Sequence, residues 1–446
     1  MEKQPRRIMQ PSSWLLVFIV LLGAWMRIEV TLRTQVEGPI RSDAIDYYSY
    51  AYNLRHYGVY SKDRLFAQAN INTTPHPDAL RTPGYPLFLS AFAGIAPEAR
   101  TILNITLAQA LLGILVIPLT FLIARQFLTS TWSLLPTLLT AISPQLINCS
   151  VYVLSESLFT FLMVASIACL SVHLRKPRNH QWLPLLGSLL IGAAALTRPT
   201  LNYVVPFLVL ALLPFLPKDN RWAWTVKVIA GFALMTLPWM LRNWIVLGGS
   251  DPTLAINTLV HGHYPGLMYN GDPQSLGAPY RYDPQSAQMS TSIGAALRGI
   301  WSCFASDPIT YTKWYLIGKP VMFFSWDDVA AWGDIFTYPT LISPYYNTLF
   351  FAASKYLMQI LHPAWIALAA VTTFFSLSKW KNEATENKPA IIKWLLVVVF
   401  IYFLTIHIIG FPIARYCIPL LPVIFILATD AVAQLGFFLH RRKLPI

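Results

Sequence analysis

Arg41-Ser42-Asp43-Ala44-Ile45-Asp46-Tyr47-Tyr48-Ser49-Tyr50 lies just after the first long apolar run of the chain, near residues 12–30. The stretch therefore stands where a membrane span gives way to water, and it places two aspartates among tyrosines. Their three-residue spacing puts both carboxylates on one face of a helix. Packing within a membrane bundle has no need of such a pair. A reaction that deprotonates a hydroxyl beside a lipid-borne leaving group does need a carboxylate here.

The composition is that of an integral membrane protein. The chain has 446 residues, of which 55% are hydrophobic and 12% charged, with a mean hydropathy of +0.50, whereas a soluble protein is about a quarter charged. The net charge of +13 is compatible with a nucleic-acid partner, but the positive residues stand on short loops between apolar runs. We therefore expect membrane lipids and no nucleic acid as partners. The four cysteines lie far apart and predict neither a disulfide framework nor a zinc site.

Apolar runs long enough to cross a bilayer of roughly 30 Å recur along the chain. They lie near residues 12–30, 101–124, 131–151, 153–174, 181–197, 200–216, 223–247, 353–377, 390–409 and 417–439. No small-residue cleavage site follows the first run, so we interpret it as a retained span rather than a signal peptide. The sequence predicts an all-α polytopic membrane protein of about ten transmembrane helices, in one membrane-embedded domain over residues 1–446.

Basic residues in the short loops predict the orientation. They precede the first span and follow the fourth, sixth, eighth and tenth: Lys3, Arg6, Arg7, Arg175, Lys176, Arg178, Lys218, Arg221, Lys379, Lys381, Arg441, Arg442 and Lys443. With ten crossings all of these fall on one side. By the positive-inside rule both termini are then cytoplasmic, in a multi-pass protein of the inner (plasma) membrane.

Two long segments, about 33–100 and 248–350, face the extracytoplasmic side in this topology. The first is predicted to hold a helix from Asp43 to His56 and a short apolar helix from about Leu87 to Ile95, which lies in the membrane interface. The second is predicted to hold a helix from Ile293 to Ala305. Asp307-Pro308 then has the pattern of an N-cap followed by proline at the first helical position.

Six stretches, in order over nearly the whole chain, resemble the polyprenol-dependent glycosyltransferases of the GT-C class. They are Ser42–Ser61, Arg81–Pro86, Leu154–Phe159, Leu196–Thr200, Pro238–Asn243 and Ala414–Tyr416. The nearest branch holds protein O-mannosyltransferases and the lipid A aminoarabinose transferase. The resemblance implies transfer of a sugar from a polyprenyl phosphate carrier to an acceptor on the outer side of the membrane. Protein mannosyltransferases have adjacent Asp-Glu in the first loop, whereas Ala44 follows Asp43 here, so Asp43 matches the catalytic carboxylate.

Three carboxylates are candidate catalytic residues. Asp43 is the predicted general base, since glycosyl transfer needs a carboxylate to take the acceptor proton; the alternative is that Ser42 or Asp43 only caps a helix. Asp46 either orients the acceptor, shares a cation with Asp43, or is a solvated carboxylate on a loop helix. Glu156 either lines the acceptor or sugar pocket or caps the fourth span.

Four arginines are predicted to bind the donor phosphate: Arg81, Arg198, Arg242 and Arg415. All map to the outer membrane boundary, and guanidinium matches a phosphate bidentately without losing its proton. Each alone could be a snorkelling anchor, but four from different segments favour an anionic ligand. Arg81 matches the family position expected to touch the donor phosphate, and Lys319 is a further candidate cation. No metal site and no cofactor are predicted, although an acid pair could hold a divalent cation against phosphate.

The predicted function is that of a GT-C type glycosyltransferase, a hexosyl- or pentosyltransferase that inverts the anomeric centre. Its donor is a polyprenyl phosphate-linked sugar, and its acceptor is a hydroxyl of a lipid, glycan or protein. A lipid-linked sugar flippase or transporter is the chief alternative, but such proteins carry charged groups near the bilayer midplane. A polysaccharide polymerase or ligase is a second alternative.

Overall fold

The computed structural model describes residues 11–67, 74–94, 96–177, 179–268, 277–326, 334–383 and 388–441. In these ranges the chain forms nineteen α-helices and one two-stranded sheet. The helices are α1 (Pro11–Arg33), α2 (Asp43–Tyr57), α3 (Gly84–Ser90), α4 (Ala99–Ala124), α5 (Ser130–Ile142), α6 (Pro144–Asn148), α7 (Glu156–Arg175), α8 (Leu183–Thr197), α9 (Val204–Leu212), α10 (Lys218–Leu247), α11 (Thr253–Gly262), α12 (Pro284–Met289), α13 (Ile293–Ser306), α14 (Pro308–Lys313), α15 (Lys319–Phe323), α16 (Pro344–Asn347), α17 (Leu349–Glu383), α18 (Lys388–Ile409) and α19 (Leu421–Arg441).

Among the described residues, seven stretches of helix are long and apolar enough to cross a membrane. They lie in α1, α4, α7, α10, α17, α18 and the stretch Ala414–Phe437, which joins a 3-10 turn to α19. An eighth forms if α5 and the turns that follow it, up to Val151, count as one span bent by 47°. The bend falls at Ser143-Pro144, because proline disfavours the helical conformation of the residue before it. The polytopic all-α fold is confirmed.

The predicted count of ten spans is not confirmed, and the difference lies in the fifth and sixth. The apolar run at 181–197 forms α8, which has only 15 residues and is about 22 Å long. The next run forms the short apolar stretch Pro199–Phe215. Arg198 separates the two with extended backbone. Its position before a proline accounts for the break, which brings a charged residue to the end of α8.

The bundle is built mainly from contacts between helices that lie near one another in the chain. α8 packs on α7 and α10, α4 packs on α1, α5 and α7, and α17 packs on α19. Small residues allow close approach: a Cβ added at Gly231 of α10 would meet the Leu185 carbonyl oxygen of α8 at 2.6 Å.

The two long segments predicted to face outward join each other next to α2. Strand β1 (Gln35–Val36) pairs antiparallel with β2 (Thr340–Ile342). The Tyr338 hydroxyl also donates to the Arg41 carbonyl oxygen at 3.1 Å. The second segment therefore fixes the entry to α2.

Predicted elements of these segments are mostly confirmed. The helices predicted at Asp43–His56 and Ile293–Ala305 are α2 and α13. Asp307 caps α14, accepting from the Thr310 amide at 3.1 Å. The apolar helix predicted at Leu87–Ile95 begins earlier and is α3, and Ile95 lies outside the described residues. So do Lys3, Arg6, Arg7, Arg178, Arg442 and Lys443, on which part of the predicted orientation depends.

Candidate active site

Six of the predicted site residues come together from five separate parts of the chain. Asp43 and Asp46 occupy the first turn of α2, and Arg81 lies just before α3. The remaining three stand at the ends of bundle helices: Glu156 is the first residue of α7, Arg198 follows α8, and Arg415 lies in the 3-10 turn that precedes α19.

Asp43 is held between two arginines. Its Oδ1 accepts from Arg81 Nη2 at 2.8 Å, and its Oδ2 accepts from Arg415 Nη2 at 2.9 Å. Arg81 also binds Asp46, donating to its Oδ2 from Nη2 at 2.8 Å and from Nε at 3.1 Å. The three-residue spacing thus gives the expected result, since both aspartates reach one guanidinium.

Glu156 continues the chain of charges into the bundle. Its Oε1 accepts from Arg198 Nη1 at 2.6 Å and lies 3.2 Å from Arg415 Nε. The side chain is only 2% exposed, and its Oε2 has no hydrogen-bond partner within the described part of the chain. The order is Asp46, Arg81, Asp43, Arg415, Glu156, Arg198, and we call these six residues the acid–arginine network. It holds three carboxylates and three guanidinium groups, and its formal charge is zero.

A turn with unusual backbone geometry brings Asp43 to the network. Ser42 has φ +48° and ψ −123°, a conformation that glycine adopts readily and other residues rarely. The turn closes through the Ala44 amide, which donates to the Arg41 carbonyl oxygen at 3.0 Å. The Ser42 side chain makes no capping hydrogen bond, and the Asp43 carboxylate is engaged by arginines, so neither residue acts only as a helix cap.

The charge environment favours the ionised form of Asp43. Burial alone raises the pKa of this carboxyl, but the Arg415 and Arg81 guanidinium groups together outweigh burial and lower the pKa to about 2. The carboxylate is consequently ionised at neutral pH and is stabilised as an anion. A group in this state is a weak proton acceptor until an arginine leaves it.

Three comparisons with known proteins bear on this arrangement. Residues 76–241 match the family model described as dolichyl-phosphate-mannose-protein mannosyltransferase, a range that includes Arg81, Glu156 and Arg198. A similar fold occurs in the archaeal oligosaccharyltransferase AglB from Archaeoglobus fulgidus, solved in complex with an inhibitory peptide and a dolichol-phosphate. The TM-score is 0.52 at 15% sequence identity, and the match covers 97% of this chain and 51% of the AglB chain. The chain has the GT-C fold.

Two further structures show equal or lower similarity. The oligosaccharyltransferase from Archaeoglobus fulgidus in complex with Zn and sulfate has a TM-score of 0.51 and 14% identity, and the match covers 96% of this chain and 50% of that one. ArnT from Cupriavidus metallidurans, bound to undecaprenyl phosphate, has TM-score 0.42 and 13% identity, covering 96% of this chain and 79% of that one. The chain thus spans about half the length of these oligosaccharyltransferase chains. No curated protein sequence matches it.

Arg242 is not brought into the acid–arginine network. Its Nη1 donates to the Asp78 carbonyl oxygen at 2.8 Å and its Nη2 to the Tyr60 carbonyl oxygen at 3.2 Å. The Tyr60 hydroxyl in turn donates to the Arg81 carbonyl oxygen at 3.0 Å. In this structure Arg242 therefore clamps the loop that presents Arg81 and does not contact the carboxylates.

Asp78 organises the same loop and is not among the site residues predicted from the sequence. Its carboxylate accepts from the Tyr50 hydroxyl, from the Lys62 amide at 2.7 Å and from the Leu80 amide at 3.1 Å. The stretch His76-Pro77-Asp78, three residues before Arg81, is the only available signal. An aspartate that directly follows a proline predicts a turn, but it does not predict which distant groups the carboxylate binds.

Lys319 also serves the site indirectly. Its Nζ donates to the carbonyl oxygens of Ile408 at 2.7 Å and Gly410 at 3.0 Å, where α18 ends. These carbonyls lie at the negative end of the helix, which favours a cation. Lys319 therefore anchors the segment that leads to Arg415 instead of facing the network.

Metal binding has no preformed cluster to support it in the described ranges. No group of three or more His, Cys, Asp or Glu side chains placed to hold a metal ion occurs there. The carboxylates of the network are occupied by guanidinium groups, which already supply the positive charge that a divalent cation would bring against a phosphate.

Proposed function

We propose that this protein is a membrane glycosyltransferase that moves a sugar from a polyprenyl phosphate donor to an acceptor hydroxyl on the extracytoplasmic side. The observation that carries the proposal is the acid–arginine network at the helix ends. It combines a carboxylate that can take a proton with guanidinium groups that can match a leaving phosphate. The matched family is described by a dolichyl-phosphate sugar donor, and the similar AglB structure contains a dolichol-phosphate; both support this donor class.

In the proposed reaction Asp43 is the general base and the arginines hold the donor phosphate. The acceptor oxygen attacks the anomeric carbon, and its proton passes to Asp43. The bond from the anomeric carbon to the phosphate oxygen breaks, and the electron pair leaves with the phosphate. Attack from the face opposite to the phosphate inverts the anomeric centre. Arg415 and Arg81 match the charge that develops on the leaving group.

Glu156 and Asp46 have supporting parts in this proposal. Glu156 holds Arg198 and Arg415 at the buried end of the network. Its second oxygen is buried and has no hydrogen-bond partner in the described residues, and we propose that it accepts from a sugar or acceptor hydroxyl. Asp46 fixes Arg81 through two hydrogen bonds. In this proposal the enzyme lies in the inner (plasma) membrane with both termini cytoplasmic, and the network then faces outward.

The test is genetic complementation read out by mass spectrometry. A strain that lacks the gene receives the wild-type chain, Asp43→Asn or Asp63→Asn. Mass spectrometry of envelope glycans, glycolipids and glycoproteins then shows which sugar is lost and which chain restores it. We expect the wild type and the Asp63→Asn control to restore the sugar, because Asp63 lies outside the network and binds His76. Full restoration by Asp43→Asn, with normal membrane insertion, would refute the role of Asp43 and favour a flippase.

A further inference from the structure

The arginines proposed to bind a phosphate are already bound to carboxylates of the same chain. Both oxygens of Asp43 face a guanidinium, and so does one oxygen of Asp46 and one of Glu156. A phosphate that reaches the network adds negative charge to a set of groups whose formal charge is zero. Since like charges repel strongly where water is scarce, the phosphate must take the place of at least one carboxylate.

Arg415 is the guanidinium at which this exchange releases the base. Arg81 is fastened by Asp46 through two hydrogen bonds besides its bond to Asp43. The contact between Arg415 Nη2 and Asp43 Oδ2 is a single hydrogen bond of 2.9 Å. Breaking it leaves Asp43 oriented by Arg81 through Oδ1, and Oδ2 becomes open to a ligand.

The side chains concerned are accessible enough to exchange partners. Asp43 is 27% exposed and Arg415 12%, whereas Glu156, at 2%, is enclosed at the far end. A ligand that arrives from the water or from the membrane boundary meets the pair of Asp43 and Arg415 before it meets Glu156.

On the basis of the function proposed above, we propose that Asp43 and the donor phosphate compete for Arg415. The phosphate takes the guanidinium and displaces Oδ2 of Asp43, which then accepts the proton of the acceptor hydroxyl. The carboxylate thus blocks the phosphate site when the donor is absent, and the donor itself creates the active base. It follows that the donor binds before the acceptor becomes reactive.

The experiment measures binding of undecaprenyl phosphate to the full chain in nanodiscs, with no acceptor present. We expect Asp43→Asn to bind this lipid about three- to tenfold more tightly than the wild type, because the competing carboxylate is gone. Arg415→Gln should bind it at least tenfold more weakly. An affinity of Asp43→Asn equal to or below that of the wild type would overturn the proposal.

Two matched controls separate competition from a general change in charge. Asp46→Asn removes one negative charge from the same helix, but Asp46 binds Arg81 rather than Arg415, so we expect less than a twofold gain. Asp63→Asn removes one charge outside the network and should leave the affinity unchanged. Equal gains in Asp43→Asn and Asp46→Asn would also overturn the proposal.

Inorganic phosphate serves as the comparison ligand. A lipid-borne phosphate is presented at the membrane boundary, so we expect undecaprenyl phosphate to bind at concentrations where inorganic phosphate neither binds nor displaces it. Equal competition by inorganic phosphate would instead make this a site for a free anion. If the wild type and all variants fail to bind undecaprenyl phosphate, the proposed donor class fails. If binding is normal but unaffected by Asp43→Asn, only the competition fails.

Discussion

Asp43 makes its contribution to stability as an anion between two cations. Burial opposes ionisation, but Arg415 and Arg81 lower the folded-state pKa of this carboxyl to about 2, below the value of about 3.9 in an unfolded chain. The stabilisation from ionised Asp43 is therefore complete at pH values above the pKa of this carboxyl in the unfolded chain. It is lost as the pH falls toward the lower pKa of the carboxyl in the folded protein.

We expect the difference in stability between the wild type and Asp43→Asn to depend on pH accordingly. It should be constant between about pH 5 and 8, at roughly 2 kcal/mol, and should shrink below pH 4. Thermal unfolding in detergent across this range measures it. Asp63→Asn is the comparison variant. The His76 amide lowers the pKa of Asp63 in the same direction, but this half-exposed side chain is screened by water, so its difference in stability should be much smaller. A difference that grows on acidification would contradict the ion-pair geometry.

Glu156 is the buried anchor of the network, and its removal should be costly. Glu156→Ala leaves Arg198 and Arg415 without a shared carboxylate in a poorly hydrated place, and breaking a buried pair on one side costs about 3–5 kcal/mol. Glu156→Gln keeps an acceptor oxygen and should cost less. Glu29→Ala, which breaks an i,i+4 pair with Arg33 at the surface, is the control and should change the unfolding temperature little.

An unfolding temperature of Glu156→Ala equal to that of the wild type would show that the buried carboxylate is not needed to hold the arginines. A loss of activity without a loss of stability would assign Glu156 to ligand binding alone. The structural role and the binding role can be distinguished because the unfolding temperature is measured without any substrate.

Six of the charged residues predicted from the sequence lie together in the structure, but the contacts that orient them were not predictable. Asp43, Glu156 and the arginines could be named because they lie in motifs that resemble a known family and map to one membrane boundary, where a single arginine would only suggest a snorkelling anchor. The pairing could not be derived, since Asp43 and Arg415 are 372 positions apart. Nor does anything local predict that Ser42 adopts positive φ, a conformation the surrounding structure imposes.

At the scale of elements, the site depends on how closely α3 approaches the end of α8. A Cβ built on Gly84 would meet the backbone of Leu196 at 2.8 Å and the Thr197 hydroxyl oxygen at 2.6 Å. Only glycine fits this approach, because backbone atoms cannot move aside as a flexible side chain can. The contact sets the distance between Arg81, which precedes α3, and Arg198, which follows α8.

We expect Gly84→Ala to push the two helices apart and to misplace Arg81 within the network. The change should destabilise the protein by about 1–3 kcal/mol, the usual range for overpacking, and should lower transfer activity more than tenfold. Unfolding temperature and sugar transfer are the two measurements. Gly94→Ala is the control, since its Cβ would have no neighbour closer than 3.8 Å. Wild-type activity in Gly84→Ala would contradict the role of this contact.

The elements themselves were partly predictable. Long apolar runs such as those of α4 and α7 gave correct spans, because length and hydropathy alone decide whether a helix can cross a membrane. The runs that form α8 and Pro199–Phe215 were also predicted to be spans, because they are apolar. A hydropathy pattern does not show that the helix breaks at Arg198 and Pro199 into two pieces, each too short to cross the membrane alone.

At the scale of the whole molecule, the proposed function requires the network to face away from the cytoplasm. α10 tests this directly, because its 30 residues extend about 45 Å and connect opposite sides of the bilayer. Lys218 and Arg221 stand at its first turns, and Asp251 lies just beyond its last residue, exposed. Positive charge is typical of cytoplasmic ends.

We expect a membrane-impermeant maleimide to label Asp251→Cys in intact spheroplasts and Asp219→Cys only after the membrane is permeabilised. Both variants are made in a chain whose two half-buried cysteines, Cys169 and Cys303, are replaced by serine, which keeps the background low. Asp219→Cys retains Lys218 and Arg221, so it leaves the basic residues that govern orientation in place, and acidic residues contribute little to that rule. The opposite labelling pattern would place Asp43 and its arginines on the cytoplasmic side, where a donor presented outside cannot reach them.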